Sequence, residues 1–183
     1  MGKRPTLTEL QKVSACSRSE KTPAARQTTN LGRALERALD AQHSVYTTQR
    51  RGVMVRQYPA TIYQRGGGII HGRAVVDYLG FVDGAPVALE AKRCVSGRFV
   101  FRDGDKLPQH QIEFLEWWTM CNGIALFITC FDASVRGDCV LISAVEVIRA
   151  LRAGDRSWNE DVALSYGFAC RGPDWAAHLG RFR

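Results

Sequence analysis

The most informative absences in this 183-residue sequence concern metal-binding motifs and apolar runs. Its six cysteines form no CxxC or CxxH pair, which argues against a structural zinc site. No signal-peptide pattern and no stretch of about 18 apolar residues is present, so we expect a cytoplasmic protein without a membrane anchor. Cys121 and Cys130 lie in or beside apolar runs, and we expect both to be small buried hydrophobes in a reducing compartment.

Nucleotide and calcium motifs are also missing. The glycine-rich segment "RGGG" (65–68) lacks the Lys-Ser/Thr ending of a nucleotide phosphate cradle, so no nucleotide cofactor is expected. Asp103 and Asp105 lie in a turn-like segment without the further ligands of a calcium loop.

Positive charge is concentrated in the first third of the chain. Residues 1–56 carry eleven Lys and Arg side chains against four Asp and Glu, whereas residues 57–183 carry 14 of each. The formal net charge of +7 therefore lies in the N-terminal third, which is typical of a surface that contacts a polyanion, although a basic tail can also serve solubility alone. The candidate DNA-contacting side chains are Arg33, Arg37, Arg50, Arg51, Arg65, Arg73 and His110.

The apolar pattern predicts an α/β fold. Leu31, Leu35 and Leu39 recur at four-residue steps and predict a first helix capped within residues 28–30. The uninterrupted apolar run 123–131 predicts a central strand covered on both faces.

The remaining segments complete the predicted architecture. Strands are expected at 53–58, 73–82 and 87–94, a second hairpin in "GRFVFRDGD", and a strand in "DCVLI". Helices are expected over 108–123 and from Ser143 to Gly154. This order predicts one mixed central β-sheet flanked by helices, with a basic arm at 1–27 and a single domain at 28–183. A short projecting loop is expected near 59–73.

The candidate chemistry lies on one predicted hairpin. If residues 83–86 form its turn, Asp77 and Glu90 project from neighbouring antiparallel strands toward the same point. Two converging carboxylates repel unless one is protonated or a cation lies between them, and Mg²⁺ favours oxygen ligands such as Asp77, Glu90 and the carbonyl of Ala91. Lys92 shares a strand face with Glu90 and could serve the attacking water or the scissile phosphate. The alternative is a surface Glu-x-Lys ion pair, worth roughly 0–1 kcal/mol.

These motifs resemble a known nuclease superfamily. The spacing of Asp77 from the Glu-x-Lys triplet is similar to the PD-(D/E)xK pattern, which implies a restriction-endonuclease-like core. Within that superfamily the chain resembles the RecU-type Holliday junction resolvases over about residues 28–150. The matching segments are "NLGRALE" (30–36), "VVDYLG" (75–80), "ALEAK" (88–92), "HQIEFL" (110–115) and "GIALFI" (123–128).

The resemblance implies a bacterial or phage-type enzyme of DNA recombination and repair. Such an enzyme acts as a homodimer on four-way DNA junctions, makes paired cuts, and uses Mg²⁺, with Mn²⁺ as an alternative ion. The family pattern places Glu36, Asp77, Glu90 and Lys92 in the catalytic core, and Gln111 near the metal.

Two departures from the family pattern leave alternatives open. Leu31 replaces an arginine, whose role is lost or passes to Arg33, and the segment between the early strands is shorter than the family's junction-entering insertion. The shortening puts junction selectivity in question more than nuclease chemistry. A less selective duplex or flap nuclease and a non-catalytic DNA-binding protein therefore remain the alternatives.

Overall fold

The computed structural model describes residues 23–59, 61–63, 69–71, 74–94, 96–101, 107–132 and 139–183, and only the backbone of 23–32, 61–63 and 69–71. Its helices are α1 (Pro23–Thr48), α2 (Gln109–Met120), α3 (Ala144–Ala153), α4 (Glu160–Tyr166) and a 3₁₀ helix at Ala176–Arg181. The first strands are β1 (Gly52–Arg56), β2 (Thr61–Tyr63), β3 (Ile69–His71), β4 (Tyr78–Val82) and β5 (Ala85–Cys94). The later strands are β6 (Arg98–Val100), β7 (Ile124–Phe131), β8 (Cys139–Ser143), β9 (Ser157–Asn159) and β10 (Gly167–Cys170).

The central sheet has six strands in the order β1-β4-β5-β7-β8-β10. Strands β5 and β7 run parallel, and the other neighbours in this sheet run antiparallel. A parallel neighbour requires a crossover connection, and the chain between β5 and β7 contains α2. The predicted mixed α/β sheet flanked by helices is therefore confirmed.

Each face of the sheet has its own apolar core. On one face Leu39 and Tyr46 of α1 pack with Tyr78, Leu89 and Trp175, and the 3₁₀ helix closes this layer. On the other face α2 and α3 cover the sheet. That second core includes Ile112, Leu115, Val147, Phe127 and Ile142. Strand β7 is buried along nearly its whole length, as its continuous apolar run predicted.

The predicted hairpin joins β4 to β5. Its turn is confined to Asp83 and Gly84, whose φ angles are 50° and 78°. Two central residues with positive φ give the type of tight turn that matches the twist of antiparallel strands, and Asp-Gly suits it. The predicted turn at 83–86 was therefore two residues too long, because β5 begins at Ala85.

The helices confirm most of the capping expectations. The Ser143 side chain accepts a hydrogen bond from the Val145 N–H (3.3 Å), and α3 ends at Gly154 with φ 103°. The prediction for α1 was wrong at its start, because the helix begins at Pro23 and residues 28–30 lie inside it. Proline is well tolerated as the first helical residue since its missing N–H has no partner there.

The pairing of β6 was not expected from the sequence. Strand β6 pairs antiparallel with β9, so that Phe99 lies opposite Trp158, and the turn expected in "GRFVFRDGD" lies outside the described residues. The segments β9, α4 and β10 were not predicted at all. Their alternation of apolar and polar residues is short, and their pairing partners lie far away along the chain.

The cysteine expectations also need correction. Cys121 is exposed at the end of α2, and Cys130 forms a disulfide with Cys139, the residue opposite it on β8. The two Cα atoms are 4.3 Å apart because the register places both residues in one cross-strand pair.

A second, two-stranded sheet follows β1. Strands β2 and β3 pair antiparallel, with Ile62 opposite Ile70, in the region where a projecting loop was expected. In the described ranges no helix is both long and apolar enough to cross a membrane.

Candidate active site

The β4–β5 hairpin brings Asp77 and Glu90 together at its open end. The Asp77 N–H donates to Glu90 Oε2 (3.0 Å), and the Ala91 N–H donates to Asp77 Oδ2 (2.8 Å). Each carboxylate therefore accepts a backbone hydrogen bond from the segment that carries the other. This reciprocal pattern orients both carboxylates without using a side chain, so the strand register itself sets the geometry.

Glu90 is the most buried acidic group of the site. Its side chain is 3% exposed, and its Oε1 accepts from Lys92 Nζ (2.6 Å) and from Gln111 Nε2 (3.2 Å). Gln111 reaches Glu90 from the first turn of α2, which crosses this face of the sheet. The structure thus brings together Asp77, Glu90 and Lys92, which the hairpin pattern placed near one another, and adds Gln111, which the family resemblance alone had suggested. Their catalytic roles stay a prediction.

The surroundings of Asp77 disfavour its ionised form. Burial, and next the charge of Glu90, raise the pKa of Asp77 from 3.8 to about 6. The backbone N–H of Ala91 and the Lys92 ammonium partly oppose this shift. A cation placed between the oxygens of Asp77 and Glu90 would stabilise the ionised form of Asp77 that burial disfavours.

The residues present fit a hard divalent cation. Asp77 and Glu90 provide carboxylate oxygens, and Gln111 Oε1 is a buried oxygen without a hydrogen-bond partner in the part of the chain that the structure describes. No group of three His, Cys, Asp or Glu side chains converges among the described residues. Mg²⁺ does not need such a group, since it commonly uses one or two carboxylates together with waters and phosphate oxygens.

Glu36 lies in a neighbouring network and not in the carboxylate pair. Its carboxylate forms an ion pair with Arg56 of β1, and Arg56 also contacts Asp40 Oδ2 (3.2 Å). The Tyr78 hydroxyl donates to Asp40 Oδ1 (2.8 Å) and lies 3.1 Å from the Glu36 carbonyl oxygen. Glu36 is still close enough for its charge to add to the raised pKa of Asp77.

Arg56, Asp40 and Tyr78 were not selected from the sequence. Asp40 stands one helical turn after Glu36, and that spacing was the available signal. Arg56 lies directly opposite Tyr78 in the β1–β4 register, a relation that appears only when the strands pair.

The candidate DNA-contacting residues differ in their surroundings. Arg33, Arg37 and Arg50 are exposed, whereas Arg51 is held by Asp83 through two hydrogen bonds (2.7 and 3.1 Å). His110 is half-buried beside Gln111, and its Nε2 has no partner within the described ranges. Arg65 and Arg73 lie outside the described residues.

Asp77, directly before β4, and the Glu-x-Lys triplet of β5 meet at the open end of one hairpin, in a sheet flanked by helices, which is the arrangement that the resemblance to the PD-(D/E)xK pattern predicted. The model of the family described as "Recombination protein U", RecU, matches residues 30–161. The chain therefore belongs to the RecU family, and the resemblance noted in the sequence is confirmed. With it the predicted class, a Holliday junction resolvase, is confirmed.

Other comparisons add little. A solved structure of Hjc, a Holliday junction resolvase from Archaeoglobus fulgidus, matches with 11% identity and a TM-score of 0.47. The match covers 78% of this chain and 98% of the archaeal one. Comparison with curated proteins gives no significant match.

Proposed function

We propose that this protein resolves four-way DNA junctions by paired, divalent-metal-dependent phosphodiester hydrolysis. The observation that carries the proposal is the buried Asp77–Glu90 pair, held by reciprocal backbone hydrogen bonds and flanked by Lys92. Membership of the RecU family supports the choice of substrate.

Asp77, Glu90 and the carbonyl of Ala91 are the proposed ligands of the metal ion, Mg²⁺ or alternatively Mn²⁺. When bound, such an ion lowers the pKa of a coordinated water and neutralises negative charge that develops on the phosphate. The raised pKa of Asp77 supports a metal role, because a cation would stabilise the ionised form that burial disfavours.

Lys92 and Gln111 are proposed to contact the scissile phosphate and the attacking water. The Lys92 side chain is 26% exposed, so its ammonium can exchange Glu90 for a phosphate oxygen or the attacking water without unfolding of the strand. The Gln111 amide, whose nitrogen donates to Glu90, leaves its oxygen free to accept a hydrogen bond from that water. In the reaction the water oxygen bonds to phosphorus and the water loses a proton to solvent. The bond from phosphorus to the 3′ oxygen breaks and that oxygen takes a proton from solvent, so the products are a 5′ phosphate and a 3′ hydroxyl.

Paired cutting requires two such sites, and we propose a homodimer. Val53 and Val55 of the edge strand β1 and Phe81 of β4 are 53, 55 and 61% exposed, and Val53 lies directly opposite Phe81. Contiguous exposed apolar side chains beside an unpaired sheet edge are typical of an interaction surface. A second copy of the chain is the proposed occupant, since each chain supplies one carboxylate pair.

DNA contact is proposed for the exposed basic side chains of the N-terminal third, among them Arg33, Arg37 and Arg50. His110, Arg65 and Arg73 remain candidates, and Arg51 is a weaker one because Asp83 already neutralises it. We place the enzyme in the cytoplasm of a bacterium or a phage-infected host, where its DNA substrate would lie.

One assay tests the proposal against both alternatives. Labelled four-way junction, linear duplex and flap DNA are incubated with the protein in Mg²⁺ or in Ca²⁺. Junction cleavage in Mg²⁺ that Asp77→Asn and Lys92→Ala abolish, with junction binding in Ca²⁺ retained, supports a resolvase. Asp161→Asn, an exposed carboxylate on α4, is the matched control and should cut normally.

Other results would contradict the proposal. Equal cutting of linear duplex would replace junction resolution by a less selective nuclease. Binding without cleavage of any substrate, in Mg²⁺ and in Mn²⁺, would leave a DNA-binding protein. A monomer at all concentrations, with and without junction DNA, would remove the proposed dimer.

A further inference from the structure

A cavity of about 350 Å³ lies between α1 and the edge strand β1, next to the candidate active site. Asp40, His43 and Ser44 line it from the helix, and Arg56 and Tyr58 line it from the strand and the segment that follows. The carboxylate pair does not use this cavity, whereas Val55, one of the apolar side chains of the proposed dimer surface, also lines it.

Tyr58 offers an open aromatic face at the cavity. The residue is 74% exposed, although an aromatic ring gains free energy when it is covered. The Arg56 guanidinium lies 5.4 Å from the centre of its ring, and Arg56 is itself held by Glu36 and Asp40. The ring thus stands beside a cation whose position is fixed by two carboxylates.

His43 adds a buried donor to the lining. Burial lowers its pKa to about 4, so the imidazole is neutral near pH 7. The Trp175 indole N–H donates to His43 Nε2 (3.2 Å), which therefore carries no proton. The proton must be on Nδ1, and this buried atom has no partner in the described part of the chain.

The charge of the cavity selects against a phosphate group. Glu36 and Asp40 together outweigh the single positive charge of Arg56, and the neighbouring His43 is neutral. A flat, neutral molecule with both donors and acceptors suits this lining better, because it can cover the ring, donate to Asp40 or Ser44 and accept from nitrogen donors. A nucleobase has this chemistry.

The cavity is joined to the candidate active site through the backbone. The Gln57 N–H, one residue before Tyr58, donates to the Asp77 carbonyl oxygen (2.8 Å). Arg56 lies opposite Tyr78, the residue after Asp77, and strand β2 begins three residues after Tyr58. A base in this cavity would therefore belong to a nucleotide close to the phosphate at the carboxylate pair.

We propose that the cavity takes an unpaired nucleobase at the exchange point of the DNA branch and stacks it on Tyr58. The proposal rests on the proposed function for its substrate. It makes Tyr58 a specificity-determining residue, because a base inside a continuous duplex is stacked and paired and cannot enter, whereas bases at a branch are unstacked more easily.

The test measures binding in Ca²⁺, which separates it from cleavage. Affinity is compared for a four-way junction and a linear duplex with wild type, Tyr58→Phe, Tyr58→Ala and the control Tyr166→Ala, an exposed tyrosine on α4. We expect Tyr58→Ala to weaken junction binding about 5- to 100-fold. Tyr58→Phe and Tyr166→Ala should leave it within about 2-fold, and duplex binding should not change.

A second arm identifies the base itself. Junctions that lack the bases at the exchange point should bind wild type more weakly, and Tyr58→Ala should cause no further loss on them. Removal of the same number of bases within an arm should have no effect. Thermal unfolding of each variant checks that the fold is kept.

Three outcomes would overturn the inference. Tyr58→Ala could bind the junction as tightly as wild type, could weaken duplex binding equally, or could lose as much affinity on the base-free junction as on the intact one. If the base dependence holds but no substrate is cut in Mg²⁺, the proposed function fails and the cavity assignment stands.

Discussion

Two aspartates six residues apart on one hairpin have opposite surroundings. Asp77 at the open end is buried next to Glu90, and its pKa is raised to about 6. Asp83 at the turn is hydrogen-bonded by Arg51, and that contact lowers its pKa. The charge of Asp77 is poorly compensated by its neighbours, whereas the charge of Asp83 is neutralised by the Arg51 guanidinium. A candidate metal site differs from a structural ion pair in this respect.

The two ends also use their cations differently. Lys92 pairs with a glutamate that is 3% exposed, whereas the side chains of Arg51 and Asp83 are 32 and 36% exposed. In addition, Arg183 Nη2 donates to the Asp83 carbonyl oxygen (2.6 Å), so the turn also binds the Arg183 side chain. We therefore expect substitutions at the open end to change cleavage activity and those at the turn to leave it unchanged.

The largest expected effect is on cleavage. Asp77→Asn should lower the junction-cleavage rate at least about 10³-fold, because it removes an anionic metal ligand and the charge stabilisation that depends on it. Asp83→Asn should cut at the wild-type rate. Single-turnover cleavage in Mg²⁺ measures both, with EDTA as the metal-free reference. Equal losses of cleavage rate in the two variants would contradict the proposed difference between the two ends of the hairpin.

The next effect is on the free energy of unfolding without metal. Lys92→Ala leaves the buried Glu90 carboxylate without its cation and should cost about 1–3 kcal/mol. Arg51→Ala breaks a more exposed pair and should cost less than about 1 kcal/mol. Urea unfolding in EDTA measures both values. A larger loss of unfolding free energy from Arg51→Ala would mean that the ion pair at the turn stabilises the fold more than the one at the open end.

The pH dependence of stability should have opposite sign at the two ends. The folded-state pKa of Asp77 lies above its unfolded value of 3.8, so its contribution to stability falls as pH rises from about 4 to 6. Asp77→Asn in EDTA should therefore be more stable than wild type at pH 7, by about 3 kcal/mol. Asp83 has a lowered pKa, so its contribution is present above pH 4 and is lost as pH falls through the folded-state pKa.

Urea unfolding at several pH values checks these signs. The difference between Asp77→Asn and wild type should shrink toward zero near pH 4, and the destabilisation by Asp83→Asn should disappear at still lower pH. A constant difference for Asp77→Asn from pH 4 to 7 would contradict the raised pKa.

The smallest expected effect is on the salt dependence of DNA binding. Arg37 is exposed on α1, and its loss should lower the slope of log affinity against log salt by about one. Arg51→Ala should leave the slope unchanged because Asp83 already neutralises that arginine. Titrations of junction DNA in Ca²⁺ at several salt concentrations measure the slope. A change of about one for Arg51→Ala would extend the DNA contact to the turn end.

Sequence patterns predicted the parts of this fold that depend on neighbours along the chain. The Asp83–Gly84 turn, the Ser143 cap and the buried run of β7 each follow from local residue preferences. Sequence patterns did not predict the pairing of β6 with β9, which lies about sixty residues further on, or the disulfide between Cys130 and Cys139. Both depend on which strands become neighbours, and a local pattern does not contain that information.

The candidate site likewise has features that local sequence patterns predict and features that depend on tertiary packing. The shared strand face of Glu90 and Lys92 follows from the two-residue period of a strand, and Asp77 follows from the tight turn between them. The ion pair of Glu36 with Arg56 and the cavity beside Tyr58 depend on the packing of α1 against β1. Long side chains such as these can reach several partners, and only the packed elements select one.

The amino-acid sequence by itself thus determined the hairpin, the converging carboxylates and the family, because turn preferences and side-chain alternation act over a few residues. The tertiary structure alone decided that Gln111 reaches Glu90, that Asp77 and Asp83 differ in pKa, and that an open aromatic ring lies near the site. Burial and long-range pairing set these properties, and both arise only when the sheet and its two helical layers have assembled.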